Sequence, residues 1–201
     1  MFGSARAQPG KPDYVQALNF ARRIQESAVK LDTLIHDLLS LARLEADGIA
    51  AAAKSFDATD AARAAVQELL PFAAERAVRI VLEANAPVPV KGDAAWVKRA
   101  VANLLRNATA FSPEGSEISV QVSALEGGAE FAVTDAGPGI DDALRNAVFE
   151  RFVTSRRGEG GTGLGLAIVR AVAEAHGGTA EIRATGPNGT TAAFTIGRVF
   201  G

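Results

Sequence analysis

No cysteine occurs in the sequence, so disulfides and thiolate metal sites are excluded, and redox chemistry says nothing about compartment. Only two histidines are present, His36 and His176, too few for a His-based zinc site. Charge of one sign is missing too: the formal net charge is −2 and the pI about 5.8, with Lys and Arg clustered no further than Arg22-Arg23, Lys98-Arg99 and Arg156-Arg157. A nucleic-acid partner needs a basic footprint, and none is written here. No apolar run approaches the roughly 20 residues that span a bilayer. Residues 1–12 lack the apolar stretch of a signal peptide and read as a flexible leader. The expected location is cytoplasmic, with membrane attachment only through segments outside this chain.

What is present is a sizeable core. Hydrophobic residues make up 48% of 201 positions, enough for one full domain and a smaller attached element. Residues 13–48 form one long helical pattern, capped at Asp13 and stopped at Gly48. Apolar or small residues recur at Ala21, Ile24, Ala28, Leu31, Ile35, Leu38 and Ala42, alternating steps of three and four. That spacing makes a coiled-coil seam, widened by Leu34 and Leu41, which needs a partner in water.

The pattern changes after the Ala-rich stretch 49–53, where we place a boundary; a second unit then covers 54–201. It reads as a short strand at 55–57, a helix at 59–77 capped by Thr59 or Asp60, strands at 79–84 and 88–90, and a helix at 94–111. Two alternating segments, 117–125 and 129–134, flank Gly127-Gly128 as a hairpin. A glycine-rich loop region at 137–163 precedes a helix at 164–175 and two last strands at 179–185 and 191–196. Late strands arriving as hairpins favour an α+β fold, a two-layer α/β sandwich, over a doubly wound parallel sheet.

Three constellations carry chemistry. Asn103 and Asn107 lie four apart within a helix, so two carboxamides project from one face, as neutral oxygen ligands for Mg²⁺ already bearing phosphate charge. Asp135-Ala136-Gly137-Pro138-Gly139 follows a strand directly; a carboxylate there can accept the exocyclic amine of adenine. Gly161-Thr162-Gly163-Leu164-Gly165-Leu166 opens a helix, where N–H groups and the positive dipole end suit phosphate oxygens. No Lys-Ser/Thr follows, so this is not a Walker loop, and its late position does not suit a dinucleotide fingerprint. Each alone is weak evidence: polar surface residues, an Asx turn and a flexible linker explain them separately.

In this order the three resemble the N, G1 and G2 boxes of the catalytic domain of bacterial sensor histidine kinases, with Val148-Phe149-Glu150-Arg151-Phe152 similar to the F box. Residues 13–48 resemble the second helix of the dimerisation and phosphotransfer hairpin. The resemblance covers nearly everything after Asp13. It implies the histidine kinase/gyrase-type ATPase (Bergerat) fold, preceded by a long coiled-coil-type helix, binding ATP with Mg²⁺. Asn107 would bind the metal with Asn103 in support, and Asp135 would fix the adenine amine. Gly137, Gly139 and Ile140 would shape the base pocket, and Gly161, Thr162, Gly163, Leu164, Gly165 and Leu166 the triphosphate site. Residues 149–160 would form a mobile lid, with Phe152 packing and Arg156 or Arg157 reaching the phosphates. The reaction implied moves the γ-phosphoryl group to a histidine and on to a response regulator, within a homodimer.

Two departures stand out. The family's acceptor motif of His, an acidic residue and a nearby Pro is absent: His36-Asp37 imitates its opening, but Leu38-Leu39-Ser40-Leu41 lacks the basic residue and the proline. His36 therefore reads as a solvated helix histidine, and the acceptor helix is expected outside this chain. Ala110 stands where many family members carry a cation for the phosphates. Two further readings remain: a nucleotide-binding regulatory scaffold without phosphotransfer, and another ATPase of the superfamily. Water-activating members use a glutamate where this chain has Asn103, and an amide takes no proton. His176, before Gly177-Gly178, reads as a helix-end residue complementing the dipole and satisfying late carbonyls.

Overall fold

The computed structural model describes residues 12–47, 54–84, 86–145, 147–154 and 161–197. Helix α1 runs Pro12–Asp47, β1 Lys54–Asp57, α2 Ala58–Ala74, β2 Arg79–Glu83, β3 Pro89–Gly92 and α3 Ala94–Phe111. Then come β4 Glu117–Leu125, β5 Gly128–Thr134, α4 Asp142–Arg145, α5 Gly165–Ala175, β6 Ala180–Gly186 and β7 Gly189–Ile196. Five strands form one mixed sheet in the order β2-β4-β5-β7-β6, with β2 parallel to β4 and every other pair antiparallel; β1 and β3 pair separately.

Period-two alternation decides which sheet face is covered. Ile118, Val120 and Val122 of β4, Phe131 and Val133 of β5, and Phe194 and Ile196 of β7 are buried. Phe131 and Phe194 stack with ring centroids 4.7 Å apart at the centre. Against this face pack α2, α3 and α5 through Leu69, Val97, Val101, Leu105, Ile168 and Val172. Each such side chain contributes about 1.5–3 kcal/mol by leaving water. The result is the expected two-layer sandwich.

Several local expectations need correction. Asp57, not Thr59 or Asp60, caps α2: its carboxylate accepts from the Thr59 and Val88 N–H groups, both at 2.9 Å. One residue thus starts the helix and ties down the segment before β3. The helix ends at Ala74 rather than Ala77, because Ala77 takes a left-handed φ of 53° and the Val78 N–H turns back to the Ala73 carbonyl at 3.0 Å. Helix α1 begins at Pro12, so Asp13 lies in its first turn; Gly48 lies outside the described residues. A short helix, α4, occupies part of the region read as loop.

Helix α1, at 36 residues, is about 54 Å long at 1.5 Å per residue. Among its described side chains only those of the C-terminal part dock: Asp37, Ser40, Leu41 and Leu44 are buried, and Leu34 packs against the core. The seam stays bare within this chain, with Ile24, Leu31, Ile35 and Leu38 exposed. Leu34 and Leu41, read as widening the seam, instead face the domain. Among the described residues no helix is long and apolar enough to cross a membrane.

Candidate nucleotide site

The end of β5 and the start of β7 build the first part of the site. The Asp135 N–H donates to the Thr190 carbonyl at 2.9 Å, and the Thr190 N–H donates back to Asp135 Oδ1 at 3.1 Å. The Gly137 N–H donates to the same oxygen at 2.8 Å. Both bonds reach Oδ1, which leaves Oδ2 as the oxygen for an incoming donor. Burial raises the Asp135 pKa above the ordinary carboxylate range, and the Gly137 and Thr190 N–H groups pull against it. A partly desolvated carboxylate fixed by backbone selects a ligand that donates.

The loop after Asp135 is held close to β6. Gly139 has φ +85°, and a Cβ there would lie 2.4 Å from the Gly186 carbonyl oxygen, so no side chain fits. The Ile140 N–H donates to Thr185 Oγ1 at 2.7 Å. Gly139 and Ile140, two of the three residues predicted to shape the base pocket, are therefore fixed beside Asp135 by one hairpin.

The second part is made by α3 and the N-terminus of α5. Asn103 is 7% exposed, and its Nδ2 is buried without a hydrogen-bond partner. Gly165 lies against it: a Cβ on Gly165 would be 3.8 Å from Asn103 Oδ1. An orphaned amide donor beside the free N–H groups opening a helix fits a phosphate oxygen. Asn107, one turn further along α3, is half-buried. Among the described residues no cluster of His, Asp and Glu could itself hold a metal. A cation here would take amide oxygens and complete its shell with phosphate and water, and the Asn103/Asn107 pair fits that role.

Gly163 (φ +69°) passes so close to Phe152 that a Cβ would meet its backbone at 2.6 Å, and the Phe152 N–H donates to the Gly163 carbonyl at 2.8 Å. The F-box segment is thereby pinned to the glycine loop. Phe152 itself does not pack: it is 54% exposed with a left-handed φ of 65°, while Phe149 and Val148 are the buried members of that box. Leu164 also differs from expectation. Its side chain is fully buried in the core, so only its backbone can line a site, while Leu166 is partly buried against the same core. Arg156 and Arg157 lie outside the described residues.

Residues 92–199 match the family model described as histidine kinase-, DNA gyrase B- and HSP90-like ATPase, more than half of the chain. The chain belongs to this ATPase family. It is 40% identical over 164 residues to the signal transduction histidine-protein kinase/phosphatase MprB of Mycobacterium sp. (strain KMS), covering 80% of this chain and 31% of that protein. It is 34% identical over 194 residues to the sensor-like histidine kinase SenX3 of Mycolicibacterium smegmatis, covering 94% of this chain and 50% of the relative. Among solved structures, full-length ShkA in complex with AMPPNP superposes with a TM-score of 0.72 at 28% identity, over 96% of this chain and 40% of that one. The chain therefore matches between about a fifth and a half of the length of its curated relatives.

Two contacts beside the site join residues that no motif or spacing in the sequence connects. Asp37, which follows His36 in α1, accepts Arg99 Nη2 of α3 on Oδ1 at 3.0 Å, and its Oδ2 faces the Thr162 hydroxyl at 3.4 Å. Arg170 of α5 donates to Glu150 Oε1 at 2.7 Å, raising its own pKa and lowering that of Glu150, and so fastens the F-box segment to α5. Both pairs are far apart in sequence, so no spacing could reveal them. His36 is exposed, with Nδ1 3.2 Å from the Asp32 carbonyl, in agreement with a solvated helix histidine.

Proposed function

We propose that this chain is the catalytic ATP-binding part of a two-component sensor histidine kinase, which positions MgATP so that a histidine outside the chain takes its γ-phosphoryl group. The observation that carries this reading is Asp135: a partly desolvated carboxylate at a strand end, held through Oδ1 by backbone with Oδ2 left over. Adenine presents an exocyclic amine to such an oxygen; guanine carries a carbonyl in that position. Beyond the base, the triphosphate would run toward Asn103, Asn107 and the opening turn of α5. Mg²⁺, held by those amides, would neutralise charge on the transferring group.

In the transfer, the acceptor imidazole nitrogen forms a bond to the γ-phosphorus as the bond to the β,γ-bridging oxygen breaks. ADP leaves, and the imidazole proton passes to solvent. The chain's own contribution is orientation: Asp135 fixes the base, while Asn103 and the α5 amides hold the phosphates in line. Hydrolysis is a weaker fit, because Asn103 supplies no base for water. The phosphoryl group would then move to an aspartate of a response regulator, as the resemblance to sensor histidine kinases implies.

The test mixes the chain with γ-labelled MgATP, alone and with a separately made helix bearing the acceptor histidine. The expected result is acid-labile, alkali-stable label on the added helix only. ATP binding with no label in either arrangement would point to a nucleotide-responsive scaffold, a role consistent with Ala110 in place of a cation. Label on the chain alone that vanishes in His36→Ala would make His36 the acceptor.

A further inference from the structure

We infer that Asp37 is a latch through which docking of α1 and filling of the nucleotide site oppose one another. This rests on the nucleotide reading above and adds to it how that site is regulated. Asp37 projects from α1 and is only 9% exposed. One carboxylate oxygen holds Arg99 of α3, itself 5.7 Å above the Trp96 ring, and the other faces the hydroxyl of Thr162 in the glycine loop. The same hydroxyl accepts the Leu164 N–H at 3.3 Å, one of the amide groups at the head of α5. Thr162 thus stands between a carboxylate of α1 and the helix end proposed to receive phosphate.

Two physical consequences follow. A triphosphate needs the Thr162 hydroxyl and the amides behind it, so Asp37 and phosphate compete for one donor. They are also like charges brought together in a partly buried place, where repulsion is screened much less than in water. The site favours one anion or the other.

Arg99 decides what becomes of α1. While Asp37 is docked, its charge is paired and α1 is held by Arg99, Leu41 and Leu44. A cleft of about 500 Å³ lies alongside, lined by Asp32, His36, Arg99, Asn103 and Arg106, so the two helices are not sealed together there. Loss of the Asp37 contact therefore leaves α1 attached mainly by its last two turns. By reciprocity, whatever factor Asp37 takes from nucleotide affinity, nucleotide takes from α1 docking.

The experiment titrates a non-hydrolysable ATP analogue with Mg²⁺ into the parent chain and into Asp37→Ala, after far-ultraviolet circular dichroism has shown that both are folded. A second measurement needs no substitution of Asp37. Because the chain has no cysteine, Ser27→Cys on exposed α1 and Gln121→Cys on the outer sheet face give a unique spin-label pair. Asp37→Ala should bind the analogue at least about fivefold more tightly, the lower end of ordinary coupling. In the doubly labelled parent, saturating analogue should shift or broaden the inter-label distance. Equal affinity in the two chains with an unchanged distance overturns the latch and leaves the nucleotide site intact. Absence of binding to either chain overturns the nucleotide reading and the latch with it.

Discussion

The Nε2 atom of His176, at the end of α5, accepts the backbone N–H of Asp93 at 3.0 Å, 83 residues earlier in the chain. Its Nδ1 donates to the Val172 carbonyl at 2.8 Å, so the ring is neutral with one proton, on Nδ1. Asp93 in turn caps α3 by accepting from Ala95 and Trp96. The two helices that bring Asn103 and Gly165 together are thus joined at the opposite end by one imidazole. As expected of a helix-end residue, the ring satisfies a late carbonyl, and it does so uncharged.

A pH dependence follows from that geometry. Burial lowers the His176 pKa below its ordinary value, which is about 6.5. Between the lowered folded value and 6.5 the unfolded chain binds more protons, so stability rises with pH there. The contribution is complete above about pH 6.5 and is lost as pH falls below it. The urea midpoint should fall from pH 7.5 to pH 5.5 by more in the parent than in His176→Gln. An identical loss in both chains would assign the effect elsewhere.

Asp135→Asn should separate binding from folding. The substitution keeps an acceptor for Gly137 and Thr190 and removes a charge that burial disfavours. Thermal stability at pH 7 should be unchanged or higher, while affinity for MgATP falls at least tenfold. An Asn variant that binds ATP as well as the parent contradicts the adenine assignment.

Phe131→Ala tests the centre of the sandwich. The ring is fully buried and stacked on Phe194, and its removal should cost about 3–5 kcal/mol. Denaturant unfolding measures this directly. A cost under 1 kcal/mol would mean that the β5–β7 pairing does not organise the core.

The bare seam of α1 should self-associate. Leu31→Ser with Leu38→Ser, both exposed in the single chain, should weaken dimerisation in sedimentation equilibrium by at least about tenfold. Melting of the ATPase domain should stay where it was. A parent that is monomeric at every concentration would show that one helix of the hairpin does not suffice.

Local periodicity located nearly every element among the described residues, although the cap of α2 was misplaced by two or three positions. Residues 94–111 read as a helix from the sequence and are one in the structure, because Asp93 and the apolar spacing of Val97, Val101 and Leu105 act within a few turns. The two asparagines on one helix face, and the carboxylate after a strand, were legible for the same reason. Tertiary structure alone decided what lies across the chain: that Thr190 steadies Asp135, that His176 reaches Asp93, that Phe149 rather than Phe152 is buried, and that Asp37 meets Arg99 and Thr162. Helix and strand signals repeat over distances of two to four residues, so a sequence displays them. Contacts between residues separated by dozens of positions depend on how strands cross and helices stack, and no interval in the sequence encodes them.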